Sequence, residues 1–182
     1  MESFEDFLAQ AKPHIRPSGL EQRVRLALDL DQVFLAEFRG VRSALVVEVN
    51  RWPDQMLLEF MKIGDISDRI PDSDIPLMRE LVFNHGRAIL EGKFEAAYFS
   101  TLEDMTLFFI HKNVWNTWVV GAVKRTVMAS MESLYRGRNR GGRASMIVAL
   151  TNFLVLELDQ IQRVYILYRN SASASDQMKA AE

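Results

Sequence analysis

Residues 144–170, ASMIVALTNFLVLELDQIQRVYILYRN, form the stretch of sequence that decides the fold. Apolar side chains recur along it at helical spacing on two separate stripes. The first stripe contains a seven-residue repeat that consists of Ile147, Leu154, Ile161 and Tyr168. Two more apolar residues, Leu158 and Tyr165, lie between members of this repeat. The second stripe consists of Phe153, Leu156, Val164 and Leu167. The pattern predicts a long helix that is buried on two sides.

One apolar stripe is enough for a helix at a domain surface, so the second stripe needs its own explanation. We expect one stripe to face the chain's own core and the other to face a second copy of the chain, together with the apolar side of the preceding helix. The alternative is that both stripes face one thick core. On the first interpretation the dimer interface consists of Val127, Met131, Ile147, Leu154, Leu158, Ile161 and Tyr165.

The rest of the chain also has helical periodicity, with few glycines and prolines between the periodic segments. Ala44–Val49 is rich in β-branched residues, but we predict helix there because a lone strand would have no partner. Pro13 is expected to stop the first helix, and Ser18 with Glu21 forms a capping-box pair that starts the second. The predicted helices are Ser3–Ala11, Ser18–Gly40, Ala44–Val49, Gln55–Ile63, Ser73–Gly92, Asn116–Tyr135 and Ala144–Asn170, and Lys93–Val114 is predicted as one further helix or a pair of helices.

The sequence therefore predicts an all-α fold with one domain over residues 1–170. Residues 171–182 are rich in Ser, Ala and Asp, and we expect them to form a flexible C-terminal tail or the start of a linker.

The composition is that of an ordinary globular protein, with 182 residues of which 48% are hydrophobic and 25% charged. The absence of cysteine excludes disulfides, thiolate metal sites and cysteine nucleophiles. The longest nearly apolar run, Met146–Leu158, is interrupted by Thr151, Asn152 and Glu157, so it is too short and too polar to span a bilayer. The acidic N-terminus lacks the features of a signal peptide. We expect a cytoplasmic protein without a membrane partner, and the net charge of −2 argues against nucleic acid.

Catalytic signatures are missing from the sequence. The sequence has no phosphate-binding glycine loop, no nucleophile elbow and no zinc-binding histidine pattern. It also has only three histidines and no cysteine. We therefore predict that the chain is not itself an enzyme, although an output enzyme domain would be compatible with it in a longer protein.

From His85 onward the spacing of particular residues resembles the globin domains of bacterial globin-coupled sensors. The residues that carry the resemblance are His85, Gly92, Phe94, Tyr98, the segment Trp118–Ala122 and the segment Leu150–Ile161. The resemblance covers residues from about 75 to 170. It implies a globin-like fold, a sensory role in bacterial signal transduction, and an output domain or partner protein downstream.

The resemblance also implies heme b, which the family binds through a proximal histidine. If Tyr98 and Trp118 are aligned with the family without gaps, the proximal position is Phe109. His111 then lies two residues away, about 200° around the helix. With a two-residue insertion before His111, His111 itself takes the proximal position.

Two interpretations follow from these alignments. In the first, His111 is the axial ligand of a heme-based gas or redox sensor, with His85 as a candidate second ligand and Trp118 beside the cofactor. In the second, the globin fold is retained without heme, as in the heme-free globin-like sensors of stress-signalling complexes. The apolar run Leu107–Ile110 would then fill the vacated volume, because an empty pocket of that size would cost several kcal/mol.

The loop between the last two predicted helices contains four arginines, Arg136, Arg138, Arg140 and Arg143. It could bind an acidic partner or nucleic acid, which would make the protein a helical adaptor. The alternative is a solvated connector, since no aromatic residues are interleaved with the arginines.

Overall fold

The computed structural model describes residues 3–15, 32–62, 66, 68–91, 96–137 and 143–179. Within these ranges the chain forms seven α-helices and no β-strand, which confirms the predicted all-α fold. The helices are α1 (Phe4–Ile15), α2 (Gln32–Val49), α3 (Trp52–Met61), α4 (Ile75–Glu91), α5 (Ala96–His111), α6 (Asn116–Gly137) and α7 (Arg143–Lys179). A short 3₁₀ turn, Asp72–Asp74, precedes α4. Among the described helices, none combines the length and hydropathy needed to cross a membrane.

The helices pack as two close pairs, α4 with α5 and α6 with α7. Helix α3 lies against both pairs through α4 and α6, and α7 also contacts α1, α2 and α5. The main core is built from large side chains of α2 to α7. Helix α1 covers one side of α5 and α7 through a smaller apolar cluster, which consists of Phe7, Ala11, Ile15, Leu107 and Val164. The long helix α7 is therefore central to the fold.

Two predicted helix ends are wrong because packing outweighs local helix breakers. Helix α1 continues through Pro13 to Ile15, which is buried with Phe7 and Ala11 at four-residue spacing. Helix α2 continues through Gly40 and includes Ala44–Val49, the stretch predicted as helix. A glycine inside a helix costs about 1 kcal/mol. The buried residues on both sides of Gly40, Phe38 and Val41, keep the helical spacing across it and offset that cost. The predicted Ser18–Glu21 capping box lies outside the described residues.

The last helix also ends later than predicted, because α7 extends past Asn170 to Lys179. Two serine hydroxyls of this segment bond back to carbonyls of the preceding turn. Ser171 Oγ donates a hydrogen bond to the Tyr168 carbonyl (2.7 Å), and Ser173 Oγ donates to the Arg169 carbonyl (2.9 Å). Residues 171–179 are thus helical in the structure.

Gly86 lies where α4 approaches the end of α2 most closely. A Cβ atom on Gly86 would lie 2.6 Å from Val49 Cγ1 and 3.4 Å from Trp52 Cε3. Because Val49 is fully buried, it has no free space to move into. We predict that Gly86→Ala lowers the free energy of unfolding by about 1–3 kcal/mol, measured by urea denaturation. The matched control is Gly121→Ala on α6, where a Cβ would meet nothing within 4 Å. That substitution should be neutral or stabilising, and equal losses at both glycines would contradict the close approach.

Candidate functional site

A cluster of four polar side chains is buried between α4, α5 and α7. His85 of α4 places its Nε2 atom 3.1 Å from Glu157 Oε2 and 3.2 Å from Glu157 Oε1. Its Nδ1 atom lies 3.1 Å from Thr101 Oγ1 on α5. Tyr98, also on α5, donates its hydroxyl to Glu157 Oε1 at 2.5 Å. The side chains of His85 and Glu157 are only 4% and 2% exposed, whereas Thr101 is half-buried.

Burial has a clear electrostatic effect on Tyr98. Desolvation raises the pKa of the Tyr98 hydroxyl well above its ordinary value, and the neighbouring Glu157 carboxylate raises it further. The hydroxyl therefore remains a neutral hydrogen-bond donor to Glu157 at physiological pH. Its hydrogen bond stabilises that carboxylate.

A small internal cavity borders this polar cluster. Side chains of five helices line it, namely Trp52, Met56, Val82, His85, Ile89, Met105, Val123, Thr126, Val127, Phe153 and Glu157. Its volume is about 20 Å³, which is room for about one water molecule. On one side the indole Nε1 of Trp52 donates to Ser130 Oγ (2.9 Å) and joins α3 to α6. Among the described residues, this pocket at the centre of the five helices is thus nearly filled by protein.

His111 lies away from this cavity, at the end of α5 and beneath α1. Its ring packs on Phe7 and Phe4, with centroids 4.9 Å and 5.8 Å apart. Helix α5 ends there because Asn113 adopts a left-handed conformation (φ 54°). The Val114 amide then bonds back to the Phe109 carbonyl (2.8 Å), and the Asn113 amide to the Ile110 carbonyl (2.8 Å), in a Schellman arrangement. The structure does not bring His111 and His85 together.

The other two residues of the predicted cofactor site are also engaged in packing. Phe109 is fully buried and contacts Phe60 and Phe108, with ring centroids 5.2 Å and 5.5 Å apart. Trp118 is half-buried, stacks on Trp115, and has the Arg69 guanidinium 5.4 Å from its ring centroid.

Heme does not fit the residues as the structure arranges them. The central cavity holds about one water molecule, and Leu107, Phe108 and Phe109 are fully buried. Both ring nitrogens of His85 already have hydrogen-bond partners, so this residue offers no free lone pair to iron. We assign no metal-ligand role to His85. Among the described residues there is no cluster of three or more His, Asp or Glu side chains that could hold a metal ion.

The predicted dimer residues divide into three groups by burial. Val127 and Ile161 are buried within the core of a single chain, at 3% and 0% exposure, so including them in an interface was wrong. Sequence spacing did not reveal which edge of the stripe faces inward. Ile147 is exposed, and the remaining four are half-buried against the core: Met131, Leu154, Leu158 and Tyr165. Tyr165 donates its hydroxyl to the Val114 carbonyl (2.8 Å), which joins α7 to the start of α6.

The arginine-rich loop is only partly described. Arg136 lies on α6 and forms an ion pair with Glu132 one turn earlier. Arg143 is the first residue of α7, and residues 138–142, with Arg138 and Arg140, lie outside the described ranges. The described arginines therefore give no additional support for a basic binding surface.

Sequence reasoning missed the central role of Glu157 and did not single out Thr101. One signal was present, since Glu157 interrupts an apolar run and lies seven residues from both Leu150 and Val164 on a buried stripe. A carboxylate on a core-facing stripe needs a buried partner.

Comparison with protein-family models, curated proteins and solved structures finds no match for this chain.

Proposed function

We propose that the chain is a heme-free, globin-like regulatory domain of a bacterial signal-transduction protein, and that it acts as a homodimer. The observation that carries this proposal is the contrast between the two sides of the α6–α7 pair. The inner side closes on a nearly filled interior, and the outer side exposes large apolar residues.

The exposed apolar residues form a surface that we call the outer face, consisting of Met128 and Tyr135 on α6 and Val148, Val155 and Ile166 on α7. Met128 and Tyr135 are seven residues apart, and the three α7 residues are seven and eleven apart, so each set lies on one stripe of its helix. All five are between 44% and 63% exposed.

Hydrogen bonds from α6 support the outward orientation of this face. Ser130 bonds to Trp52 of α3, and Ser133 donates to Glu48 of α2 (2.8 Å). Met128 is two residues, or about 160°, from Ser130 around the helix, so it points away from α2 and α3. Large exposed apolar residues on two neighbouring long helices are typical of a protein interface. A second copy of the chain would give a four-helix contact between two such faces.

A dimer of this kind has a direct route for a signal. Helix α7 contributes to the outer face, contacts the buried polar cluster through Glu157, and continues to Lys179. A shift of α7 against the second copy of the chain would be transmitted along that helix to a downstream output domain or partner protein.

We predict that Val155→Asp converts the dimer to a monomer. Burying an unpaired carboxylate in an apolar contact costs several kcal/mol, which corresponds to at least about a hundredfold weaker association. Sedimentation equilibrium of the purified chain measures this directly. The matched control is Val47→Asp on α2, because Val47 is similarly exposed (53% against 63%) and lies outside the outer face. The interface would be elsewhere if both variants stayed dimeric, and the proposal would be wrong if the unmodified chain were a monomer at high concentration.

The heme-based sensor with His111 as axial ligand is the competing proposal. Adding heme to the purified chain and recording its absorbance separates the two. A sharp Soret band that disappears in His111→Ala would favour the competing proposal.

A further inference from the structure

The surface of the central cavity is almost entirely apolar. Eight of the lining side chains are apolar and buried, and they come from all five helices of the cavity: Trp52, Met56, Val82, Ile89, Met105, Val123, Val127 and Phe153. The remaining lining residues are His85, Thr126 and Glu157. What occupies the cavity therefore depends on whether these three residues turn polar atoms toward it.

The three polar lining residues offer little to a molecule inside the cavity. The polar atoms of His85 and Glu157 bond to each other and to two hydroxyl groups of α5. The Thr126 hydroxyl oxygen has no hydrogen-bond partner among the described residues, but neighbouring atoms cover it almost completely. A buried water molecule typically makes about three hydrogen bonds to polar groups around it. Water therefore fits the volume of the cavity but not its surface.

Part of the cavity wall is rigid and part of it is adaptable. Trp52 is held by its bond to Ser130, and the Phe153 ring stacks on it with centroids 6.4 Å apart. Met56 of α3 and Met105 of α5 have unbranched side chains with three rotatable bonds, which adjust readily to irregular volumes. The two methionines therefore allow the cavity to fit its occupant.

We propose that the central cavity is a binding site for a small apolar gas molecule of about one or two heavy atoms. Such a molecule loses no hydrogen bonds on leaving water, and it gains dispersion contacts with side chains of five helices. Apolar cavities in proteins stay dry and take up xenon for the same reason. The site goes beyond the function proposed above and does not depend on the dimer.

The site lies directly behind an exposed part of α7. Phe153 and Glu157 line the cavity, and Val155 lies between them along the helix and is exposed. Val155 is two residues, or about 160° around the helix, from each of them. An occupant of the cavity therefore contacts the inner side of the same turn of α7 that carries Val155 on its outer side.

The first test uses xenon as the probe and the unmodified full chain, so it does not depend on any variant folding. Methyl signals are recorded by proton–carbon correlation NMR at increasing xenon pressure. The cavity methyl groups are those of Val82, Val123 and Val127. The control methyl groups are those of Leu107 and Val164, in the smaller apolar cluster under α1.

We expect the cavity methyl signals to shift until they saturate, and to shift several-fold more than the control signals. Equal shifts in the two sets, or no saturable shift at the cavity, would overturn the proposal. A nuclear Overhauser effect between the cavity methyl groups and a slowly exchanging water molecule would also overturn it, because water would then be the occupant.

The second test reduces the cavity with one added methyl group. Val82→Ile adds that group at the cavity wall, so the saturable xenon shift at Val123 and Val127 should be lost. The matched control is Val41→Ile, because Val41 is as buried as Val82 (2% against 3% exposed) and does not line the cavity. The control variant should retain the shift. Loss of the xenon shift in both variants, or in neither, would contradict binding in this cavity.

Discussion

Replacing Glu157 with alanine should lower the free energy of unfolding at neutral pH by about 3–5 kcal/mol. The loss is large because the substitution leaves both His85 Nε2 and the Tyr98 hydroxyl without their buried partner. Neither group can turn to water, since His85 and Tyr98 are only 3% and 2% exposed. Urea denaturation followed by circular dichroism measures the change.

Two other substitutions on α7 serve as controls for Glu157→Ala. Glu157→Gln should lose less than half as much, because an amide can still accept from Tyr98 and donate to His85. Asp159→Ala, two residues along the same helix, removes an exposed ion pair with Arg163 and should cost less than about 1 kcal/mol. If Glu157→Ala were as mild as Asp159→Ala, the buried cluster would have no structural role.

The second large effect is expected for Phe109→Ala, with a loss of about 3–5 kcal/mol. Phe109 is fully buried and contacts the rings of Phe60 and Phe108, so truncation leaves a cavity that surrounding side chains fill only in part. Thermal or urea unfolding at neutral pH measures the loss.

A solvent-exposed aromatic provides the control for Phe109. Trp115→Ala removes a ring that is 59% exposed and stacked on Trp118, so we expect a loss of about 1 kcal/mol or less. A small loss for Phe109→Ala would mean that the interior is looser than its packing indicates.

Periodic apolar patterning was sufficient to predict the helices but not where they end. Ala44–Val49 was correctly predicted as helix against its β-branched composition. Pro13 and Gly40 were misjudged, because local helix breakers count for less than the buried residues that flank them. The last helix also continues beyond Asn170. Helix ends therefore depended on tertiary contacts that a single sequence does not display.

The candidate site was harder to predict from the sequence than the helices were. Glu157 was recognised as a polar interruption in an apolar run, but its partner His85 lies 72 residues earlier in the chain. Only the packing of α4 against α7 and α5 reveals that pair. The same limitation affected the interface, because seven-residue spacing grouped the buried Val127 and Ile161 with residues at the surface.

The measurement that most directly tests this account is an absorbance titration of the purified chain with heme. Since side chains leave the centre of the domain room for about one water molecule, we expect only the broad band of loosely associated heme, unchanged by His111→Ala. A sharp, stoichiometric Soret band that is lost in His111→Ala would contradict the filled interior and the heme-free function built on it.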